Sequence, residues 1–407
     1  MGELTPAEIG ARARYFRERR GLDQAVVAGL VGIDKSHLSR LESGKRKWHI
    51  TRRGFLETLA EVLGCAVSDL TGQPYAAVGR AGTAALAVLP PVSRVLADTT
   101  LDDVPDLPAR PVAQLARLAA EANAASADAR YGAAGPDLAR LLLELHVQAV
   151  RGQGSGVRRA ALRALVEACI VAVGAARTLG NLDLAVLAAD RGQAAAARLE
   201  DPALSGFAAM SAAVVLTRAN AHYRAERVLT TALNALERAD PGAADTAPAE
   251  AAGMLHLTCA QRAAKSGDAD TAATHYAEAH ALAARTGERS TLHFDFGPSN
   301  AGAWELSGQI ELGRGAEHAE QFARRPPPLF VSADRKAAWL SDLARGHAQG
   351  FRDVQALHHL DLADAAAPRR VRHDPIVRAL VDSLDARGRC RTEQRLLDSL
   401  KARVRAG

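Results

Sequence analysis

From Pro111 onward the chain repeats one pattern. A stretch of small apolar residues at helical spacing is followed by a turn, then by a second such stretch. The pairs are Pro111–Arg130 with Pro136–Val150, Val157–Leu179 with Leu182–Leu199, and Pro202–Tyr223 with Ala225–Ala239. They continue as Pro248–Ser266 with Ala269–Thr286, Pro298–Leu312 with Ala316–Arg324, Ser332–Gln349 with Asp353–Ala366, and Asp374–Arg387 with Thr392–Arg405. A helical pair cannot bury its apolar side alone, so pairs recurring every 35–45 residues or so are expected to stack on one another. Hydrophobic residues make up 48% of the chain but aromatics only 4%, so the faces are mostly Ala, Leu and Val. Those are helix formers, and no stretch sustains a two-residue alternation. The expectation is an all-α protein whose residues 111–407 form an α-solenoid, with the last hairpin as its cap.

The first 72 residues are organised differently. Thr5, Pro6 and Glu8 have the spacing of a capping box, and Gly21 ends that first helix. Gln24–Gly44 then reads as two short helices around a tight turn. Ala25, Val26, Ala28 and Leu30 give the first an apolar side, and Gly32 supplies freedom for the corner. Asp34 stands at the N-cap of the second. Leu38 and Leu41 face inward, while Lys35, Ser36, Ser39 and Arg40 fall on the outer side. Such a helix has one face to bury and one face of donors, which suits entry into a DNA major groove. Thr51 is placed to cap a fourth helix with a stripe of Phe55, Leu56, Leu59, Ala60 and Leu63, and Val67–Leu70 reads as a fifth.

The segment RRGLDQAVVAGLVGIDKSHLSRLESGKRK resembles the lambda-repressor-like helix-turn-helix domain of the xenobiotic-response-element regulators, over roughly Ile9 to Leu70. The resemblance implies a five-helix DNA-binding domain at residues 1–72. It assigns base reading to Lys35, Ser36 and Arg40, with His37 and Ser39 beside them. It assigns phosphate contacts to Gln24, Lys45 and Arg46, and a buried ion pair to Arg17 and Glu42. The charge agrees with a double-stranded DNA operator as partner. Residues 1–55 carry 12 Lys or Arg against 6 Asp or Glu, which leaves the remainder near neutral in a chain of net charge +5. Trp48 lies in the basic loop after the second helix of the pair.

Residues 73–110 are rich in Pro and Gly and read as a semi-rigid linker, with room for a short helix near Val92–Ala97. Cys65, Cys169, Cys259 and Cys390 lie far apart inside apolar stretches, which indicates neither a disulfide framework nor a metal site. No apolar run approaches the 18 or so residues of a membrane span, and no signal core opens the chain, so a cytoplasmic protein with no membrane association is expected. VRGQGSG lacks the Lys-Ser/Thr of a phosphate loop and no HExxH occurs. Neither enzyme activity nor a cofactor is expected.

Segments such as ARTLGNLDLAVLAADRGQAAAARLED and AAKSGDADTAATHYAEAHALAARTGE resemble tetratricopeptide repeats. A repressor-type head, a Pro-rich linker and such a body together resemble a group of actinobacterial regulators, in which HFDFGPSNAGAWEL looks like a recurring phrase. The architecture is also similar to peptide-pheromone-sensing regulators, which implies a homodimer and a repeat domain that receives a small molecule or peptide. The stretch from Leu292 to Asn300, with Trp304, either lines a pocket or plugs the gap between repeats. The pocket reading makes Phe296, Asn300 and Trp304 effector contacts, joined by Asn220, His256 and Gln261 from neighbouring first helices. The rival reading is a DNA-tethered adaptor whose repeats bind a partner protein.

Overall fold

A computed structural model describes residues 5–45, 53–63, 65, 70, 88–129, 135–238, 240, 242–324, 328–388 and 390–406. Among them the only strand-like pairing is a single bridge between Arg289 and Phe296. The head contains α1 (Pro6–Arg19), α2 (Gln24–Leu30), α3 (Lys35–Glu42) and α4 (Arg53–Leu63). Helix α1 opens with the full capping box, Thr5 N–H donating to Glu8 Oε2 at 2.6 Å and Glu8 N–H to Thr5 Oγ1 at 3.3 Å. Ile9, Ala13, Val27, Ala28, Leu38, Leu41, Leu56, Leu59, Leu63 and Leu70 make one small core. The expected apolar side of α2 is corrected by one position. Val27 and Ala28 point inward, while Val26 and Leu30 are 48% and 60% exposed. A seven-residue run of almost wholly apolar residues has no periodicity to orient it, so packing on α3 decides. The cap at Thr51, residues 67–69 of the expected fifth helix and the packing of Trp48 fall outside the described residues.

The body begins earlier than expected. Helix α5 (Leu89–Asp98) buries Leu89, Val92 and Leu96 against α7 (Gly135–Arg151) and α9 (Leu182–Ala197). The strand of chain after it is tied down by side chains of the body. Arg198 donates to Leu101 O at 2.8 Å, Arg151 to Val104 O at 3.0 Å, and Gln148 to Arg110 O at 2.8 Å. From Val88 to Arg110 the expected linker is therefore body surface rather than tether. Pro90 and Pro91 sit in the first turn of α5, where no amide proton is needed. Beyond Asp98 the carbonyls are taken by Arg151 and Gln148 of α7 and by Arg198 at the end of α9.

The repeating pairs are α6 (Val112–Ala127) with α7, α8 (Ser155–Thr178) with α9, α10 (Pro202–Arg218) with α11 (His222–Leu236), and α12 (Ala247–Lys265) with α13 (Ala269–Thr286). Then follow α14 (Pro298–Glu311) with α15 (Gly315–Ala323), and α16 (Ala333–Gln349) with α17 (Asp353–Ala366). The short α18 (Pro368–His373) precedes a last pair, α19 (Pro375–Arg387) and α20 (Gln394–Ala406). Two turns show why the pairs fold back. Gly180 and Gly267 take φ of 77° and 82°, and the next residues, Asn181 and Asp268, each cap the following helix. Successive first helices α8, α10, α12, α14 and α16 pack on one another as an inner layer, with the second helices outside. That inner layer is Ala- and Gly-rich because its helices are buried on more than one side. A Cβ on Gly253 would lie 2.0 Å from the Phe296 ring, and one on Gly308 would lie 2.1 Å from the Tyr276 hydroxyl.

Candidate nucleic-acid interface and concave groove

Helix α3 is fixed from both ends and from behind. Asp34 accepts the His37 N–H at 2.7 Å and the Ser36 hydroxyl at 2.5 Å. Those two bonds hold its carboxyl below the usual carboxylate range. At the other end Gly44 has φ of 69°, and a Cβ there would come within 2.7 Å of the Ala7 backbone. Behind the helix, Arg17 Nε and Nη2 meet the two Glu42 oxygens at 2.7 and 2.9 Å, with both side chains buried. Arg17 also donates to Leu22 O at 3.0 Å, so one guanidinium joins α1, the loop before α2, and α3. A further contact was not legible as a motif. A Cβ on Gly10 would meet Leu41 O at 2.4 Å, so glycine lets α1 cross directly over the α3 backbone.

The outward face carries Lys35, Ser36, Ser39 and Arg40, all exposed, with His37 half-buried at its edge. Arg40 lies back along its own helix, donating to Ser36 O at 3.1 Å and Ser36 Oγ at 3.2 Å. Lys45 is exposed just beyond Gly44. Gln24 does not stand free as a phosphate contact. Its amide donates to Glu42 Oε2 at 2.8 Å and completes the buried cluster. The carboxylate beside it offers a charged acceptor that solvent cannot match in strength. Arg46 lies outside the described residues.

The six residues expected to gather at an effector pocket are separated by the fold. Phe296 is wholly buried, its ring on Gly253. Asn300 is buried and donates to Phe294 O at 3.1 Å. Phe294 stacks on Phe207, with centroids 5.2 Å apart. Asp295 accepts Ser332 N–H at 2.8 Å, Ser332 Oγ donates to Ala127 O at 2.9 Å, and Asn123 donates to Leu292 O at 3.1 Å. The FDFGP loop thus plugs the solenoid and bonds helix α6 to the start of α16, about two hundred residues later. Asn220 is not among the residues that line the concave groove. It takes φ of 59° in the α10–α11 turn, the position that Gly180 and Gly267 hold in theirs. Asparagine tolerates that left-handed conformation, which explains its presence. His256 pairs with His275 at 2.9 Å, away from the groove.

Gln261 and Trp304 do share a cavity. It has a volume of about 210 Å³ and lies along the concave side of the inner layer, between α10, α12, α14 and α16. Seven of its lining residues are Arg or Lys and three are Asp or Glu. Trp304 carries the Arg335 guanidinium 5.6 Å from its ring centroid. The head bears on this region, since α4 packs against α19. Burial alone would raise the Glu311 carboxyl, but Arg345 and Lys265 hold it below its usual value, with Arg20 at the end of α1 adding to them. Sequence reasoning did not find this basic lining, because its residues come from helices spread between Arg177 and Val377.

Among the described residues no group of three or more His, Cys, Asp or Glu is placed to hold a metal ion. No helix among them is long and apolar enough to cross a membrane. The four cysteines form no disulfide with one another.

An all-helical protein with a capped, outward-facing α3 held against α1 has the build of a helix-turn-helix protein. Residues 8–71 match the family model described as a helix-turn-helix domain. Comparison of the chain with curated proteins and with solved structures gives no match.

Proposed function

We propose that this protein is a sequence-specific, DNA-binding transcription regulator, acting in the cytoplasm as a homodimer and not as an enzyme. The observation that carries the reading is the donor face of α3, with Lys35, Ser36, Ser39 and Arg40 exposed on a helix that Arg17 and Glu42 hold rigidly from behind. Preorganised donors on a short helix suit base edges in a major groove. A single head of this size buries little surface, so two heads about 34 Å apart on a pseudo-palindrome supply useful specificity. The tetratricopeptide-like body dimerises and receives a signal, a small molecule or a peptide. A ligand there shifts DNA binding only by preferring one arrangement of the dimer.

The test is selection of a binding sequence from random duplexes, followed by titration of variants on it. Arg40→Ala should cost roughly 1–3 kcal/mol and relax preference at one base pair. Lys45→Ala should weaken all sequences alike and lower the salt slope by about 1. Unchanged base preference in Arg40→Ala would remove α3 from the recognition role.

A further inference from the structure

The concave groove has a charge imbalance that the fold leaves unresolved. All three of its carboxylates are engaged within the protein. Arg345 takes two of them, Glu311 at 2.8 Å and Asp342 at 3.0 Å. Asp374 caps α19 by accepting the Ile376 N–H at 2.9 Å. Arg370 turns to Asp334, with two bonds of 2.9 Å. Lys265 and Arg335 have no carboxylate within ion-pairing distance among the described residues, and Arg262 reaches Glu226 only at 4.0 Å. Cations gathered on one wall without carboxylate partners repel one another and attract an anion. Lys265 is exposed at the rim of the groove and Arg335 is half-buried within it. The protein crowded round both, with Arg218 near Lys265, pushes the ammonium and the guanidinium below their usual values.

A second, independent observation concerns donors. Arg262 Nε, Arg335 Nε and Trp304 Nε1 are buried without a protein partner, and all three residues line the cavity. Buried donors are satisfied in nearly all proteins, so three together in one cavity mark a place for an acceptor. The acceptor must be strongly negative to offset the excess of cations. Arginine's planar fork matches phosphate oxygens, and one phosphate accepts from several such donors at once. A cavity of about 210 Å³ exceeds the roughly 150 Å³ that accommodates one benzene ring, which leaves room for a phosphate with one small apolar group. Trp304 supplies the flat surface for that group, beside the polar ends of Gln261 and Ser307.

We propose that this groove is a binding site for a small phosphate monoester. Lys265 and Arg335 hold its phosphate and Trp304 covers its apolar part. The site deepens the reading above by giving the signal a chemistry, and it rests on that reading only for its consequence at DNA.

The test is calorimetric titration of the full-length protein with phenyl phosphate, inorganic phosphate and phenol. Phenyl phosphate should bind one per chain and more tightly than either other probe. Lys265→Gln and Arg335→Gln should each weaken it about tenfold or more, the loss of one charge-assisted bond. Lys265→Gln is the safer variant, because the Lys265 side chain makes no hydrogen bond among the described residues. Trp304→Leu should bring phenyl phosphate down to the affinity of inorganic phosphate. Lys336→Gln, on the exposed side of α16, should change nothing. The proposal is overturned by absence of phenyl phosphate binding at millimolar concentration, by equal binding of phenol, or by an equal loss in Lys336→Gln. Duplex binding measured on the same samples without ligand keeps the two readings apart. Its failure would remove the DNA-binding function and leave the groove untouched, and failure of the phosphate titration would do the reverse.

Discussion

Replacing Arg17 by Met should remove a third or more of the head's stability, while replacing Arg17 and Glu42 together should not. In the native head Glu42 is 3% exposed and Arg17 is 10% exposed at the side chain. Two charge-assisted bonds of 2.7 and 2.9 Å join them, and Gln24 adds a third to Glu42 at 2.8 Å. Arg17→Met removes the cation and leaves a buried carboxylate with one amide for company. Breaking a buried pair from one side costs about 3–5 kcal/mol. At about 0.05–0.15 kcal/mol per residue, a domain of residues 5–70 has roughly 3–10 kcal/mol in all. The single substitution therefore takes between a third and all of it. In Arg17→Met with Glu42→Leu neither charge remains, and the apolar pair should restore most of the loss. The assay is amide hydrogen exchange of the full-length protein, read in peptides from α1 and α3. A loss of about 3 kcal/mol opens these helices more than a hundredfold more often. The coupling energy from the double-mutant cycle should reach 2 kcal/mol or so. A single-variant cost below about 1 kcal/mol, or a double variant equal to the sum of the singles, would refute the buried-pair argument.

Three further outcomes are expected. Burial, first among the causes, pushes the His146 and His347 imidazoles down to about 4, and Arg191 beside His146 Nε2 makes that ring an acceptor there, so Nδ1–H donates to Leu142 O. Both rings are neutral when folded and take protons first when unfolded. Stability present above about pH 6.5 is therefore lost as pH falls toward 4, by up to about 3 kcal/mol for each, and His146→Gln should flatten the fall in urea midpoint between pH 7 and 5. Phe296→Ala should lower body stability by about 3–5 kcal/mol in chemical denaturation. Its ring sits on Gly253 in the core, so a neutral effect would return Phe296 to the pocket reading. Dimerisation should reside in the body. A fragment starting at Val88, which keeps α5 and its tethers, should be dimeric by light scattering, and a monomer would move the interface to the head.

Local signals in the sequence were sufficient wherever a structure is decided by residues near one another. The Thr5–Glu8 capping box, the Asp34 cap, and the Gly180–Asn181 and Gly267–Asp268 turns are all complete within a few residues. So is the split of α3 into buried Leu38 and Leu41 and exposed Lys35, Ser36, Ser39 and Arg40. The periodicity of the helical pairs likewise fixed the element order of the body. What tertiary structure alone decided involves partners far apart in sequence. Packing turned Val27 inward and left Val26 out, in a run where both are apolar. A bonded chain from Asn123 to Ser332 made the FDFGP loop a plug rather than a pocket wall. Arg151 and Gln148 of α7, with Arg198 at the end of α9, captured a segment whose composition reads as linker. The concave groove shows the same thing most plainly, because its charge exists only when helices from α8 to α19 are stacked. No short stretch of sequence carries it, since each helix contributes only a few residues, and superposition of the helices brings the cations together faster than the carboxylates can neutralise them.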